Sequence, residues 1–412
     1  MERLDNSKLS ALQKHIVNEI SGNKNMAVVG GPGTGKTILA MSGMTLGGKR
    51  KQILLTYSKP LSIMISECRI PCRTLHSFCW QTASKIEEFL KDYESEYKFD
   101  DDPFTRSQVI YKEYVFTDEG FPQFKKLIDA YNRLTENQKK ELRYDDIFVD
   151  EGQDFPEEAF EFLKLITNRI VVTYDEAQEV GGENSKGEND LKRKAGVDCN
   201  KILNILSLQD SFYDLIDNFR NTKSIERVAK LFYNNYGSND LSLRRVAANR
   251  PEGKKPKAIF SPLNQKLFED IADRAYQLNK QVGVIIPEYD ANTFKIAKEG
   301  FESAIDNGLL PENKFFYKYG KDKNMDSIEN DLNQTGVFLI TYKTSKGMEF
   351  DDVYLLDCQN SLLQTETDKN RFYVAATRAK ETLNLVFSCT YESSCPVLEV
   401  VKNNESLFEI AR

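Results

Sequence analysis

Short apolar runs alternate with longer segments of helical period along this chain. Met26–Val29 is apolar throughout and ends in a glycine-rich turn, after which Ile38-Leu39-Ala40-Met41 opens a helical stretch. Unbroken apolar runs of roughly four to eight residues suit strands buried on both faces. On that basis Gln52–Thr56, Asp146–Asp150 and Arg169–Tyr174 are further strands of the first half. Lys257–Phe260, Val282–Ile286, Phe315–Tyr319, Val337–Thr341, Val353–Asp357 and Leu383–Ser388 are strands of the second. Strands alternating with helices imply parallel sheets with right-handed crossovers. The expected fold is α/β, in two domains facing a cleft: residues 1–220 and 221–412. Gln81–Arg143 reads as a small α-helical insertion in the first, and Gly181–Gly196 as a mobile loop. Leu9-Ser10-Ala11-Leu12-Gln13 opens the first helix with Ser10 and Gln13 at capping-box spacing.

Composition narrows the class without naming a function. The 412 residues suit two or three domains, and 40% hydrophobic with 29% charged residues is ordinary for a globular chain. No window approaches the roughly 18 apolar residues of a membrane span, and Met1–Asp5 does not open a signal peptide. Seven cysteines and two histidines at irregular spacing fit neither a disulfide framework nor a zinc site. Cys68 and Cys72 have no second pair, so reduced, mostly buried thiols and a cytoplasmic location are expected. The net charge of −7 does not advertise nucleic-acid binding, although binding depends on local field. Glu87–Asp102 is acidic, and Arg244–Lys257 carries Arg244, Arg245, Arg250, Lys254, Lys255 and Lys257 against Glu252. Solvated surface is the plain reading of the basic run, and a secondary nucleic-acid contact the sharper one.

The chemistry begins at Gly30-Gly31-Pro32-Gly33-Thr34-Gly35-Lys36-Thr37. A strand, this loop and a helix in succession let backbone N–H groups cradle phosphate oxygens. Lys36 adds a cation and Thr37 a hydroxyl suited to Mg²⁺. Asp150 and Glu151 end the next buried strand, where open parallel sheets place their ligands. Asp150 suits the metal beside Thr37, and Glu151 suits activation of water. Gln178 follows another strand and is a candidate γ-phosphate sensor; the alternative is a surface amide. Arg220 and Arg378 are candidate cations from outside the first sheet, which would link hydrolysis to closure of the cleft.

Taken in order, these segments resemble a superfamily 1 helicase of the UvrD/Rep type. Leu9-Ser10-x-x-Gln13 resembles the adenine-reading glutamine motif, and Gly30–Thr37 and Asp150-Glu151-x-Gln153-Asp154 resemble motifs I and II. Thr56-Tyr57-Ser58-Lys59 and Thr74-x-His76-Ser77-Phe78 resemble motif Ia and its successor. Asp175-x-x-Gln178 and Asn218-Phe219-Arg220 resemble motifs III and IV. Thr341-x-x-x-Ser345-Lys346-Gly347-Met348-Glu349-Phe350 resembles motif V, and Arg371–Ala379 resembles motif VI. The resemblance implies two RecA-like P-loop NTPase domains, ATP and Mg²⁺ as ligands, and single-stranded DNA as partner. It implies that Gln13 reads adenine, Phe219 stacks on it, Gly347 and Glu349 lie at the nucleotide, and Arg220 and Arg378 reach the γ-phosphate. Tyr57, Lys59, His76, Thr341, Lys343 and Ser345 would meet nucleic acid, with Tyr57 as a stacking platform.

The departures bear on what the motor does. Ile38 stands where relatives often carry a base-stacking arginine, and Lys343 where motif V usually has histidine. Gln178 runs into Glu-Val-Gly-Gly-Glu, without the aromatic stretch of processive relatives, and the single tryptophan is Trp80. Residues 221–339 leave no space for the large insertion that bigger relatives carry between motifs IV and V. Three functions stay open: a 3′–5′ DNA translocase or helicase, a DNA-responsive regulatory ATPase beside a nuclease or other partner (an anti-phage defence complex among the settings), and an RNA-directed helicase.

Overall fold

The computed structural model describes residues 9–90, 115–117, 121–175, 199–208, 212–233, 247–287, 290–320, 322–324, 334–361 and 363–412. Gln178, the proposed loop 181–196, Arg244 and Arg245 lie outside these, as does part of the helical insertion.

Two sheets organise the described chain. The first takes β1 (Met26–Gly30), β2 (Gln52–Thr56), β3 (Cys72–Thr74), β4 (Tyr144–Val149), β5 (Thr167–Tyr174) and β6 (Phe212–Leu215). Their order is β3-β2-β4-β5-β1-β6, and every pairing is parallel. Period-2 geometry sends alternate residues to opposite faces. Ala27 and Val29 of β1 thus join one core with Phe160 and Leu163, while Met26 and Val28 join another with Ile16 and Leu39. Burial on both faces explains why these strands read as continuous apolar runs.

A two-residue bridge joins β7 (Asp217–Asn218) to β8 (Ala247–Ala248). The second sheet follows: β9 (Lys257–Phe260), β10 (Gln281–Ile286), β11 (Phe315–Tyr319), β12 (Asp322–Lys323), β13 (Gly336–Thr341), β14 (Phe350–Leu355), β15 (Ala379–Phe387) and β16 (Glu409–Ala411). Its order is β12-β11-β13-β10-β14-β15-β9-β16, with only β11–β12 antiparallel. It too is covered on both faces, with Ile285 facing one core and Val282, Val284 and Ile286 the other. The strands missed in the sequence, β3, β6, β12 and β16 together with the β7–β8 bridge, are all short, and β3, β6 and β16 carry polar or half-exposed positions. A short edge strand has one neighbour and needs no apolar run.

β6 completes the first sheet, and the Lys223–Lys230 helix packs Ile225 and Val228 into the second core. Among the described residues of 81–143 the helices are the end of Leu75–Leu90, then Phe124–Asn132 and Glu136–Leu142. Leu127 and Tyr131 pack into the first-sheet core, so this segment is continuous with that lobe rather than a separate body. Among the described thiols only Cys79 and Cys358 are buried; Cys68, Cys72, Cys389 and Cys395 are half-buried, and all six are free.

Candidate active site

The phosphate loop is shaped by two left-handed glycines. Gly33 has φ +72° and Gly35 φ +87°, conformations that side-chain-bearing residues rarely adopt. Gly35 stands at the N-terminus of the Lys36–Leu46 helix with no side chain capping it. That leaves the first-turn N–H groups for an anion. Lys36 is buried and folds back on the loop: Nζ donates to the carbonyls of Gly30 (2.8 Å) and Gly31 (3.1 Å) and lies 3.5 Å from Asp175. Thr34 also braces the loop, its hydroxyl donating to the Gly31 carbonyl at 2.9 Å.

Gln13 makes the capping box expected of its position, with Ser10, and a second contact besides: its Nε2 donates to the Thr34 carbonyl at 3.0 Å. The amide is therefore a strut from the first helix to the phosphate loop.

Strand β4 delivers the acidic pair. Asp150 is fully buried; one carboxylate oxygen accepts from the Thr37 hydroxyl at 2.7 Å and the other from Thr173 at 2.5 Å. Burial, then the charge of Glu151, pushes the Asp150 carboxyl up to about 6. Glu151 adopts φ +57°, a left-handed conformation costly for a residue with a Cβ. Its carboxylate accepts from Gln153 Nε2 at 2.5 Å, and the Gln153 carbonyl oxygen in turn accepts from the Asp175 N–H at 3.0 Å. Burial pushes the Glu151 carboxyl up, but Lys36, Lys346, Gln153 and Arg378 outweigh it and hold the group below its ordinary value.

The second lobe and the segment that joins it to the first supply cations to the same place. Lys346 pairs with Asp154 at 2.6 Å across the lobe junction. Arg220 binds Glu349 through Nε at 2.8 Å and also through Nη2. Its Nη1 is buried and has no hydrogen-bond partner. Arg378 is 1% exposed; its Nε donates to the Val374 carbonyl at 2.9 Å and Nη1 to the Met348 carbonyl at 3.3 Å. Burial, then the nearby Arg220 charge, lowers the Arg378 guanidinium to about 9, opposed by Glu349, Glu151 and Asp175. Arg378 thus lies within electrostatic reach of two first-lobe carboxylates. Gly347 comes close to Ser58 of the first lobe: a Cβ there would sit 3.6 Å from its hydroxyl.

Phe219 is 37% exposed beside the loop, its N–H bonded to the Gly33 carbonyl at 2.8 Å. Pro32 and Gly31 complete the turn before Gly33. The expected nucleic-acid residues divide. Tyr57, Lys59, His76 and Lys343 are exposed, with Tyr57 at the end of β2. Thr341 and Ser345 are buried, and the Ser345 hydroxyl donates inward to the Tyr342 carbonyl at 2.7 Å. In the basic run, Arg250 donates to the carbonyls of Arg220 and Lys380 and Lys257 pairs with Glu409, so both serve the fold. Asp154, Lys346, Gln153 and Asp175 belong to the site although the motif chemistry gave them no role. The fifth position of Asp-Glu-x-Gln-Asp and the lysine before Gly347 were the available signals.

The glycine loop, buried acidic strand end and two parallel α/β lobes define a P-loop NTPase with two RecA-like domains. Residues 13–181 match the family model of an AAA domain, and residues 319–390 match that of the UvrD-like helicase C-terminal domain. Each lobe thus carries one match, and together the two support a UvrD/Rep-like helicase of superfamily 1. No curated protein sequence matches it. Among solved structures it is similar to the C-terminal domain of a possible DNA helicase from Lactobacillus plantarum WCFS1. That match has 18% identity and a TM-score of 0.33, covering 47% of this chain and 99% of the other. The PRRSV helicase matches at 12% identity and a TM-score of 0.40, covering 91% of this chain and 54% of that one. Both families are those of NTP-hydrolysing enzymes. Among the described residues no helix is long and apolar enough to cross a membrane.

Proposed function

We propose that this protein is an ATP-dependent translocase or helicase on single-stranded DNA, moving 3′ to 5′, in the cytoplasm. The observation that supports it most is the meeting of Lys36, Asp150 and Glu151 of one lobe with Arg378 of the other and with Arg220 at the junction, where Arg220 Nη1 is buried without an acceptor among the described residues. A buried guanidinium N–H without a partner is costly, and a phosphate oxygen is the acceptor it suits. Residues 1–220 act as the nucleotide-binding domain and 221–412 as its lid.

In this reading the loop N–H groups and Lys36 hold the phosphates, and Lys36 exchanges its carbonyl acceptors for phosphate oxygens. Glu151, kept ionised by the surrounding cations, takes the proton of the attacking water. Arg220 and Arg378 neutralise charge on the transferring phosphoryl group when the lobes close, and Gln178 senses it. Thr37 and Asp150 are hard oxygen donors suited to Mg²⁺. Bound there, Mg²⁺ would neutralise phosphate charge. Gln13 and Phe219 border the position for adenine, and Tyr57, Lys59, His76 and Lys343 offer the strand a stacking ring and cations.

The test is ATPase turnover with and without a single-stranded oligonucleotide, then displacement of a 3′-tailed duplex. Stimulation by DNA with strand displacement is expected. A rate indifferent to DNA and RNA alike would overturn the motor reading, and stimulation by RNA alone would shift the track. Stimulation without displacement would favour the second reading, a regulatory ATPase beside a nuclease partner. That reading draws on the run Glu179-Val180-Gly181-Gly182-Glu183, which lacks aromatics after Gln178.

A further inference from the structure

The stretch Asn218–Asn221 lies between the phosphate loop and the loop that carries Arg378, and touches both. On one side, Phe219 N–H donates to the Gly33 carbonyl at 2.8 Å. The packing there is tight: a Cβ at Gly33 would lie 2.4 Å from Asn218 Oδ1 and 2.5 Å from Arg220 Cβ. On the other side, fully buried Asn221 donates through Nδ2 to the carbonyls of Thr377 (3.1 Å) and Ala379 (2.6 Å). Those carbonyls flank Arg378. Asn221 Oδ1 accepts from Asn218 Nδ2 at 2.9 Å, and Asn218 Oδ1 accepts from the N–H groups of Arg220 and Asn221 at 2.9 and 3.1 Å.

We infer that Asn221 is a positioning residue that sets Arg378 relative to the phosphate loop. It acts through the backbone on either side of the arginine. The guanidinium has its own bonds to Val374 and Met348, both residues of the second lobe. A link from that lobe back to Gly33 runs through Asn221 and Asn218, beside the Arg250 bridge between the Arg220 and Lys380 carbonyls. Because both amide hydrogens of Asn221 are engaged on the two carbonyls, a shift of the Asn218–Asn221 stretch moves residues 377–379 with it. Misplacement of a charge-stabilising group by about 1 Å lowers turnover by about 100-fold.

The inference rests on the role proposed for Arg378, so the test separates the two. Asn221→Ala, Arg378→Ala and the double variant are compared by ATPase kinetics, with binding of a fluorescent ATP analogue and thermal unfolding measured alongside. Arg378→Ala should lower kcat by about 1,000-fold. Asn221→Ala should lower kcat by about 10- to 100-fold while KM for ATP and analogue binding stay within about threefold. The double variant should fall within about twofold of Arg378→Ala, because a positioning residue has nothing left to position. Asn221→Ser, which keeps one hydroxyl donor, should retain intermediate turnover and serves if Asn221→Ala folds poorly. Multiplying effects, or normal turnover in Asn221→Ala beside a crippled Arg378→Ala, would overturn this inference alone. Normal turnover in Arg378→Ala would sink the proposed role of that arginine and this inference with it.

Discussion

The two lobes end their acidic strands in the same way and put the result to different use. In the first, β4 is followed by Asp150, then left-handed Glu151, then the 3₁₀ turn Gly152–Asp154. In the second, β14 is followed by Leu356, then left-handed Asp357, then the 3₁₀ turn Cys358–Asn360. Each left-handed carboxylate accepts from a glutamine two residues on, Gln153 or Gln359. The differences lie around this shared frame. Leu356 stands where Asp150 would be. Asp357 also accepts from Asn360 within its own turn, whereas the last turn residue of the first lobe, Asp154, reaches across to Lys346. The helix after β1 starts at an uncapped glycine, while the helix after β10, Ala291–Asp306, is capped by Asp290 accepting from the Thr293 N–H. A helix end already satisfied by its own carboxylate has less to offer a phosphate. One backbone design therefore serves as a nucleotide site only where its polar ends are left for a ligand.

The strongest way to break the comparison is to alter the matched carboxylates. Glu151→Gln should lower ATP turnover by at least about 1,000-fold with nucleotide binding retained, whereas Asp357→Asn should leave turnover within about threefold. Equal losses, measured by steady-state ATPase, would falsify the division of labour between the lobes.

The opposite ends of the sheets offer a second contrast. Asp146 is buried with Arg169 at 2.7 Å, with exposures of 1% and 2%, and Arg50 at 3.3 Å. Asp352 is equally buried, but its partners Arg274 (2.7 Å) and Lys280 (3.1 Å) are 32% and 19% exposed. Removing one partner of a buried pair strands the other, so Asp146→Ala should cost about 3–5 kcal/mol in chemical denaturation. Asp352→Ala should cost less, since water can solvate its partners. Against the cost of burial, the nearby Thr382 side chain and hydrogen bonds from Arg274 and Lys280 hold the Asp352 carboxyl below its ordinary value. Its stabilisation is therefore present above the usual aspartate range and is lost as pH falls through the lowered value. A larger loss at Asp352 would reverse the expected order.

The smallest effect runs the other way. Asp150 is raised from 3.8 to about 6, so its ionised form costs the fold stability above that pH. Asp150→Asn should stabilise the ligand-free protein at pH 7–8 by up to about 3 kcal/mol. The gain should shrink below pH 6 and vanish near pH 4. A melting temperature unchanged at pH 7.5, or a gain that persists at pH 4, would remove this group from the account.

The sequence by itself determined the central, buried strands of both sheets, the glycine loop and the order of acidic and basic motifs, but not the short edge strands. These are local properties: an apolar run of a given length, or glycines where φ must be positive. Tertiary structure alone decided how they meet. Lys346 finds Asp154 across 192 residues, Arg220 finds Glu349 across 129, and Asn221 finds the Thr377 carbonyl across 156. It also turned Ser345 inward and made Gln13 a strut for the phosphate loop. The physical reason is that ion pairs and buried amides are satisfied by whatever group the packed lobes bring within about 3 Å, often a backbone carbonyl. Every residue carries that carbonyl, so no pattern of side chains announces which one will be used.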